Sequence, residues 1–214
     1  MRALGSRLMA EAEQECLHAS DWQAWDLVTD PIPKRADLVI SAYVMNEMTE
    51  ADRTIVANKL WDATEKLLLI VEPGTPEGYR QLMQTREQLL QRGAHLAAPC
   101  THELPCRLQA PDRCHFSARI QRTRLHRMLK DGDAPYEDEK FMYLALTREQ
   151  PRPAAARILR HPMVQKGRID LSLCTADTNI SLSVGKKQAD AFRTARKSAW
   201  GDMFEPENHT GNEA

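Results

Sequence analysis

Four of the chain's five cysteines fall where a metal could use them. Cys100, Cys106 and Cys114 are spaced C-x5-C-x7-C in a proline-marked stretch, CTHELPCRLQAPDRC, and 59 residues separate Cys114 from Cys174. Thiolates are soft donors that suit zinc and iron–sulfur clusters. A structural zinc ion usually takes its ligands from tight C-x2–4-C knuckles, because one ion needs them folded closely around it. Both spacings here are wider. A cubane cluster is larger, so a looser loop and one distant strand can reach its corners. The pattern matches neither ferredoxin spacing, and His95, His102 and His115 keep a mixed zinc site in play. Spacing alone leaves three readings open: a cluster, a zinc ion, or unligated thiols. An odd cysteine count in a reducing compartment argues against a disulfide framework. Cys16, on an amphipathic stretch with Leu4, Leu8 and Leu17, reads as a small buried hydrophobe.

These thiols need a scaffold, and the apolar pattern predicts one. Residues 1–18 read as a helix, with Leu4, Leu8 and Ala12 at helical spacing. The run DLVISAYV (37–44) suits a strand buried on both faces of a parallel sheet. Thr49 opens a capping-box-like helix start that runs to about Thr64, with Ile55, Val56, Leu60 and Trp61 facing inward. KLLLIV (66–71) is a second buried strand. Thr75 and Pro76 look like N-cap and N1 of the next helix, and Gly93 like its stop. Strand–helix–strand–helix in this order predicts an α/β unit. Prolines and cysteines then crowd 99–114, where no period survives. Strands are predicted at 115–121 and 141–147, with DGDAPYEDEK between them as loop, and 150–156 as a linker. Short strands follow at 157–161, 169–174 and 180–184, with a turn at Asp177–Asn179, then a basic helix over about 186–198.

The chain's 214 residues suffice for one sizeable core or two small ones. No run of about 18 apolar residues exists, so no membrane-spanning helix is expected, and acidic residues stand where a signal peptide would be apolar. This reads as a cytosolic protein. The net charge of −1 hides an asymmetry. Residues 1–112 carry 11 Lys+Arg against 17 Asp+Glu, residues 113–200 carry 18 against 9, and the tail 201–214 has four acids and no base. A basic segment of this kind hints at a polyanion partner; the plainer reading is a solvated basic surface.

At this point the residues become familiar. APCTHELPC (98–106), Cys114 and SAWGD (198–202) resemble the mitochondrial small-ribosomal-subunit methyltransferase-like family and its bacterial relatives. So do DLVISAYVMNEM (37–48), LLLIVEPGTPEGYR (67–80) and HPMVQKGRIDLSLC (161–174), and the resemblance runs from Met1 to about Phe204. It implies an α/β fold: an incomplete class I methyltransferase (Rossmann-like) sheet, a cysteine-rich metal-binding loop, and a small β-rich C-terminal extension. The corresponding segments are 1–93, the C-terminal half of the α/β domain; 94–150, the cysteine loop and last strands; and 151–204, the basic extension with its helix. A disordered tail is expected over 205–214. The resemblance also implies a [4Fe–4S] cluster on Cys100, Cys106, Cys114 and Cys174, above the zinc alternative, and association with the small ribosomal subunit during its assembly.

The same resemblance implies S-adenosylmethionine as cofactor, with a departure. The family's glycine-rich loop, its first two strands and the acid that grips the ribose would precede residue 1. Met1 therefore reads as an internal methionine of a longer protein, and the chain as a fragment, a truncated gene model or a degenerate copy. What remains of the cofactor pocket is Asp26 together with Ser41, Ala42 and Tyr43 at a strand end, followed by Asn46 and Glu47. Asp26 may equally be read as a turn residue, Tyr43 as core and Glu47 as a cap. Glu72 and Pro73 would neighbour the methylation target.

The leading expectation is a ribosome-assembly or translation factor that binds RNA. Methyl transfer would need the absent N-terminal part, and this chain alone is expected to hold S-adenosylmethionine weakly or not at all. The alternatives are a non-catalytic RNA-binding module stabilised by zinc or an iron–sulfur cluster, and a redox sensor with a solvent-reachable cluster. Arg193, Arg196 and Lys197 fall at i, i+3 and i+4 and share one helix face, which could follow the phosphates of ribosomal RNA. No DNA or membrane partner is expected. The eukaryotic relatives are mitochondrial.

Overall fold

The computed structural model describes residues 2–129 and 133–205. The chain divides into two compact units, Met1–Pro33 and Lys34–Ala214. The first contains α1 (Arg2–Ala10) and a 3-10 turn at Glu15–Leu17. The helix is shorter than its apolar spacing suggests, and Leu4 and Leu8 are exposed. The indole of Trp22 packs on Gly5, where a Cβ would stand 2.7 Å from the ring, so only glycine fits under it. Cys16 lies on the 3-10 turn and is exposed, not buried.

The second unit begins with β1 (Ala36–Ala42), α2 (Glu50–Ala63), β2 (Thr64–Pro73) and α3 (Pro76–Gln91). Both helices start where the caps predict. The Thr49 hydroxyl accepts from the Asp52 N–H and that of Thr75 from the Gly78 N–H, each satisfying a donor the helix leaves open. Gly93, at φ +79°, ends the turn after α3. β1 and β2 pair in parallel, as a strand–helix–strand crossover requires. The sheet continues with β3 (His95–Ala98), β4 (Phe116–Gln121) and β5 (Tyr136–Thr147), in the order β1-β2-β5-β3 with β4 also on β5. This mixed α/β sheet is compatible with a Rossmann-like fold. β3 and β4 share the edge of β5 that faces away from β2, so residues 99–115 form an excursion from that edge. The short helix α4 (Arg124–Leu129) precedes β5.

Three expectations are corrected here. Residues 136–140 are not loop but the first half of β5, held by cross-strand pairs such as Arg119–Asp138 at 2.7 Å. The strand at 36–42 is not buried on both faces. It is the sheet's edge, with Leu38 50% and Ile40 57% exposed, while Ser41 is covered. Ile55 likewise points outward, whereas Val56, Leu60 and Trp61 are buried as expected.

A second sheet follows, built from β6 (Ala156–Ile158), β7 (Met163–Gln165), β8 (Arg168–Thr175), β9 (Asn179–Gly185) and β10 (Met203–Phe204). Its order is β10-β6-β8-β7, with β9 also on β8, and every pairing is antiparallel. The helix α5 (Ala189–Lys197) buries Ala191 and Ala195 in its core beside Ile158, Leu173 and Phe204. The tail at 206–214 lies outside the described residues. Among those described, no helix is long and apolar enough to cross a membrane.

An edge strand with open backbone groups and exposed apolar side chains is a template for self-association. Ile40→Lys is expected to reduce association of the purified chain in sedimentation velocity while shifting its stability by no more than about 0.5 kcal/mol. Unchanged association would show that the β1 edge is not the sticky surface.

Candidate functional site

The three loop cysteines and Cys174 come together. Cys100, Cys106 and Cys114 on the β3–β4 excursion and Cys174 on β8 line one enclosed, mostly apolar cavity. Met83 and Arg86 of α3, Met142 and Tyr143 of β5, and Arg157 of β6 complete its wall. None of the cysteines is in a disulfide. The Cys174 Sγ lies 3.6 Å from the hydroxyl of buried Thr101 and 3.9 Å from His102 Nε2. His102 is the one of the three candidate histidines that lines the cavity; His95 pairs with Glu103 at 3.1 Å, and His115 packs edge-on against Trp200.

Burial, reinforced by the other three thiols, pushes the Cys114 thiol far above its usual range. Burial raises Cys100 as well, against the opposing pull of the Arg86 guanidinium and with Cys106 and Cys174 adding to the rise. Cys100 and Cys114 resist ionisation partly because of the thiols beside them. A bound metal removes that conflict, since it ligates thiolates and supplies the compensating charge. The four cysteines offer an all-sulfur donor set, which suits zinc or an iron–sulfur cluster. Among the described residues, however, no three His, Cys, Asp or Glu side chains stand grouped closely enough to hold a single ion.

Interactions other than a metal already fix the loop. Arg86 Nη2 donates to the carbonyls of His102 and Leu104 at 3.0 and 2.8 Å. Arg157 Nε donates to Pro99 O at 3.0 Å, and Arg107 Nη2 to Ala176 O at 2.8 Å. Beside the cavity an open groove of about 760 Å³ runs along α3, lined by Tyr79, Met83 and Pro111 among others. Cys106 belongs to both, and Tyr79 lines the groove beside it.

The strand-end residues form a separate arrangement. Ser41, Ala42 and Tyr43 lie at the carboxyl end of β1, where open α/β sheets bind ligands. Ser41 is buried and its Oγ has no hydrogen-bond partner among the described residues, while Ala42 and Tyr43 are exposed. Tyr43 adopts φ +57°, a left-handed conformation uncommon outside glycine. Glu72, at the end of β2, holds the turn beyond it by accepting from the Met45 and Asn46 N–H groups at 3.0 and 3.2 Å. In the first unit, Asp26 closes its own turn, accepting from the N–H groups of Val28 and Thr29 at 2.8 and 3.1 Å. Arg193, Arg196 and Lys197 are exposed on α5, with Arg193 3.2 Å from Asp190.

Residues 1–205 match the family described as Mitochondrial small ribosomal subunit Rsm22. The chain belongs to this family. It is similar to the human protein named "Ribosome assembly protein METTL17, mitochondrial", with 31% identity over 183 residues covering 78% of this chain and 39% of that protein. It is also similar to "Rsm22-cox11 tandem protein 2, mitochondrial" and "Rsm22-cox11 tandem protein 1, mitochondrial" of Schizosaccharomyces pombe. Identity to each is 25%, over 78% of this chain and 29% of theirs. The chain thus spans well under half the length of these relatives.

In this member of the Rsm22 family, Arg86, Arg157 and Tyr79 were not legible as site residues. Arg86 had one signal: it sits four residues after Leu82 and three before Leu89, on the apolar face of α3.

Glu72 supports a pH prediction. Burial holds its carboxyl above the usual carboxylate range, although the N–H groups of Met45 and Asn46 pull it down. A folded-state pKa above the unfolded one contributes stability that is complete below the unfolded pKa and lost as pH rises through the folded one. Denaturant unfolding of wild type and Glu72→Gln should therefore show the wild type losing ground to the variant as pH rises above the ordinary glutamate pKa of about 4.3. The reverse trend would mean that the backbone donors outweigh burial.

Proposed function

We propose that this chain is part of a small-ribosomal-subunit assembly protein that holds a [4Fe–4S] cluster on Cys100, Cys106, Cys114 and Cys174 and contacts ribosomal RNA through α5. The carrying observation is that four cysteines from separate sequence positions line one enclosed cavity. Four sulfur donors from a loop and a distant strand are the ligand type that an iron–sulfur cluster takes. A cluster, when bound, supplies a four-cornered crosslink between the loop and β8. Thr101 and His102 flank Cys174, and the rest of the cavity wall is mostly apolar. The family relationship supports the assembly role; the human relative is named for it.

Methyl transfer is the second part of the reading and depends on a longer chain. The β1 end, with the unsatisfied Ser41 Oγ and the turn held by Glu72, is where S-adenosylmethionine would lie, against Ala42 and Tyr43. The alternative, a non-catalytic RNA-binding module with zinc or a cluster as a structural pin, is favoured by His102 Nε2 standing 3.9 Å from the Cys174 sulfur, where a mixed zinc site could form.

Protein purified without oxygen is expected to carry about four irons and four sulfides per chain. Cys174→Ser should lose as much iron as Cys100→Ser, and Cys16→Ser should lose none. Stoichiometric zinc without sulfide would establish the alternative. For RNA, the affinity of the chain for small-subunit ribosomal RNA should fall steeply with salt. Changing Arg193, Arg196 and Lys197 together to Ala should flatten that slope by up to about three phosphate contacts. An unchanged slope would place the RNA-binding surface elsewhere.

A further inference from the structure

Arg86 is withdrawn from solvent, at 0% exposure, in the middle of α3. Its one carboxylate partner, Glu87, is itself half-exposed at the protein surface. The remaining hydrogen bonds of the guanidinium go to the cysteine loop, to the carbonyls of His102 and Leu104. Its Nε has no partner among the described residues. Arg157, 8% exposed, flanks the same cavity from β6, and both of its hydrogen-bond partners, Pro99 O and Gly201 O, are carbonyls. Two buried positive charges thus face four thiols.

A buried charge is tolerated when an opposite charge meets it, and leaving one uncompensated is strongly destabilising. Protonated thiols provide no such charge. Metal-bound thiolates do, because ligation removes their protons and four thiolates outweigh the charge of a divalent ion. We infer that Arg86 is a positioning residue for the loaded four-sulfur site, balancing its negative charge while its second nitrogen fixes the loop between Cys100 and Cys106. This rests on the four-cysteine reading proposed above. It predicts an asymmetry: Arg86 stabilises the loaded protein more than the stripped one, in which Glu87 alone meets its charge.

The test uses the full chain as wild type, Arg86→Met and Arg86→Lys, each reconstituted anaerobically with ferrous iron and sulfide and also stripped by a chelator. Chelator competition should show iron affinity falling about 10–100-fold in the Met variant, with most of it retained by Lys, which keeps the charge. Both forms of Arg86→Met lose the loop hydrogen bonds, but the loaded form should lose more in melting temperature, so that the gain on loading narrows in this variant. If Arg86 only clamps the loop carbonyls, loaded and stripped Arg86→Met will melt lower by the same amount. That result overturns the inference, as does a Met variant unable to fold without metal or a Lys variant as weak as Met. If wild type takes up no iron and sulfide, the four-cysteine reading fails first, and the inference falls with it.

Discussion

An irregular loop pressed between two sheets must find donors for backbone carbonyls that no strand ladder serves. Across residues 99–115 guanidinium groups supply many of them. Arg86 reaches from α3 to His102 and Leu104, and Arg157 reaches from β6 to Pro99. Arg107 runs the other way, from the loop to Thr175 and Ala176 at the end of β8, and Arg160 donates to the carbonyl of Arg113. Hydrogen bonds from charged donors contribute about 1.5–3 kcal/mol each, roughly twice a neutral pair. The convergence of the cysteines depends on this stitching. Arg157 and Cys174 are direct cross-strand partners on β6 and β8, so the residue that grips Pro99, next to Cys100, also fixes where Cys174 stands.

The parts of the fold legible in the sequence are those whose causes are local. Thr49 and Thr75 cap α2 and α3 with their own hydroxyls, and Gly93 ends the second helix at positive φ. What depends on distant neighbours was misread. Whether the apolar run at 37–44 is buried on one face or two is decided by what lies beside it, and β1 has a strand neighbour on one side only. The first half of β5 was hidden for a related reason. Tyr136–Lys140 carries charges at consecutive positions because neither face enters a core, and its partners are Arg119 and Arg122 on or beside β4.

The site was half legible in the same sense. Cysteine spacing and the family resemblance named the four thiols, but their meeting is set by β8 pairing with β6 and by the arginines, of which Arg86 alone leaves a mark in the sequence. Arg86 would have been found only by asking why a helix that buries Leu82 and Leu89 places a charge between them on the same face. Asp26 shows the opposite case. An aspartate two and three residues before N–H groups it can accept from is a turn residue by local chemistry, and that is the role its carboxylate plays within its own unit.

The same arginines change what the basic composition of residues 113–200 means. A positive excess suggests a polyanion partner only to the extent that the charges reach solvent unpaired. Arg157 is turned into the interior, Arg119 and Arg122 are engaged by Asp138 and Glu137, and Arg160 meets Asp112. Arg148 lies 3.9 Å over the Trp61 ring and donates to the Thr64 carbonyl. Much of the excess is therefore internal scaffolding, provided by the one side chain whose planar fork can serve several carbonyls at once while keeping its charge. Five exposed bases lie where β9 runs into α5, at Lys186, Lys187, Arg193, Arg196 and Lys197, with Arg193 meeting Asp190; others, such as Arg124, Arg127 and Lys140, lie elsewhere. On α5 the bases lie opposite Ala191 and Ala195, whose burial orients the helix so that its basic face is the outer one.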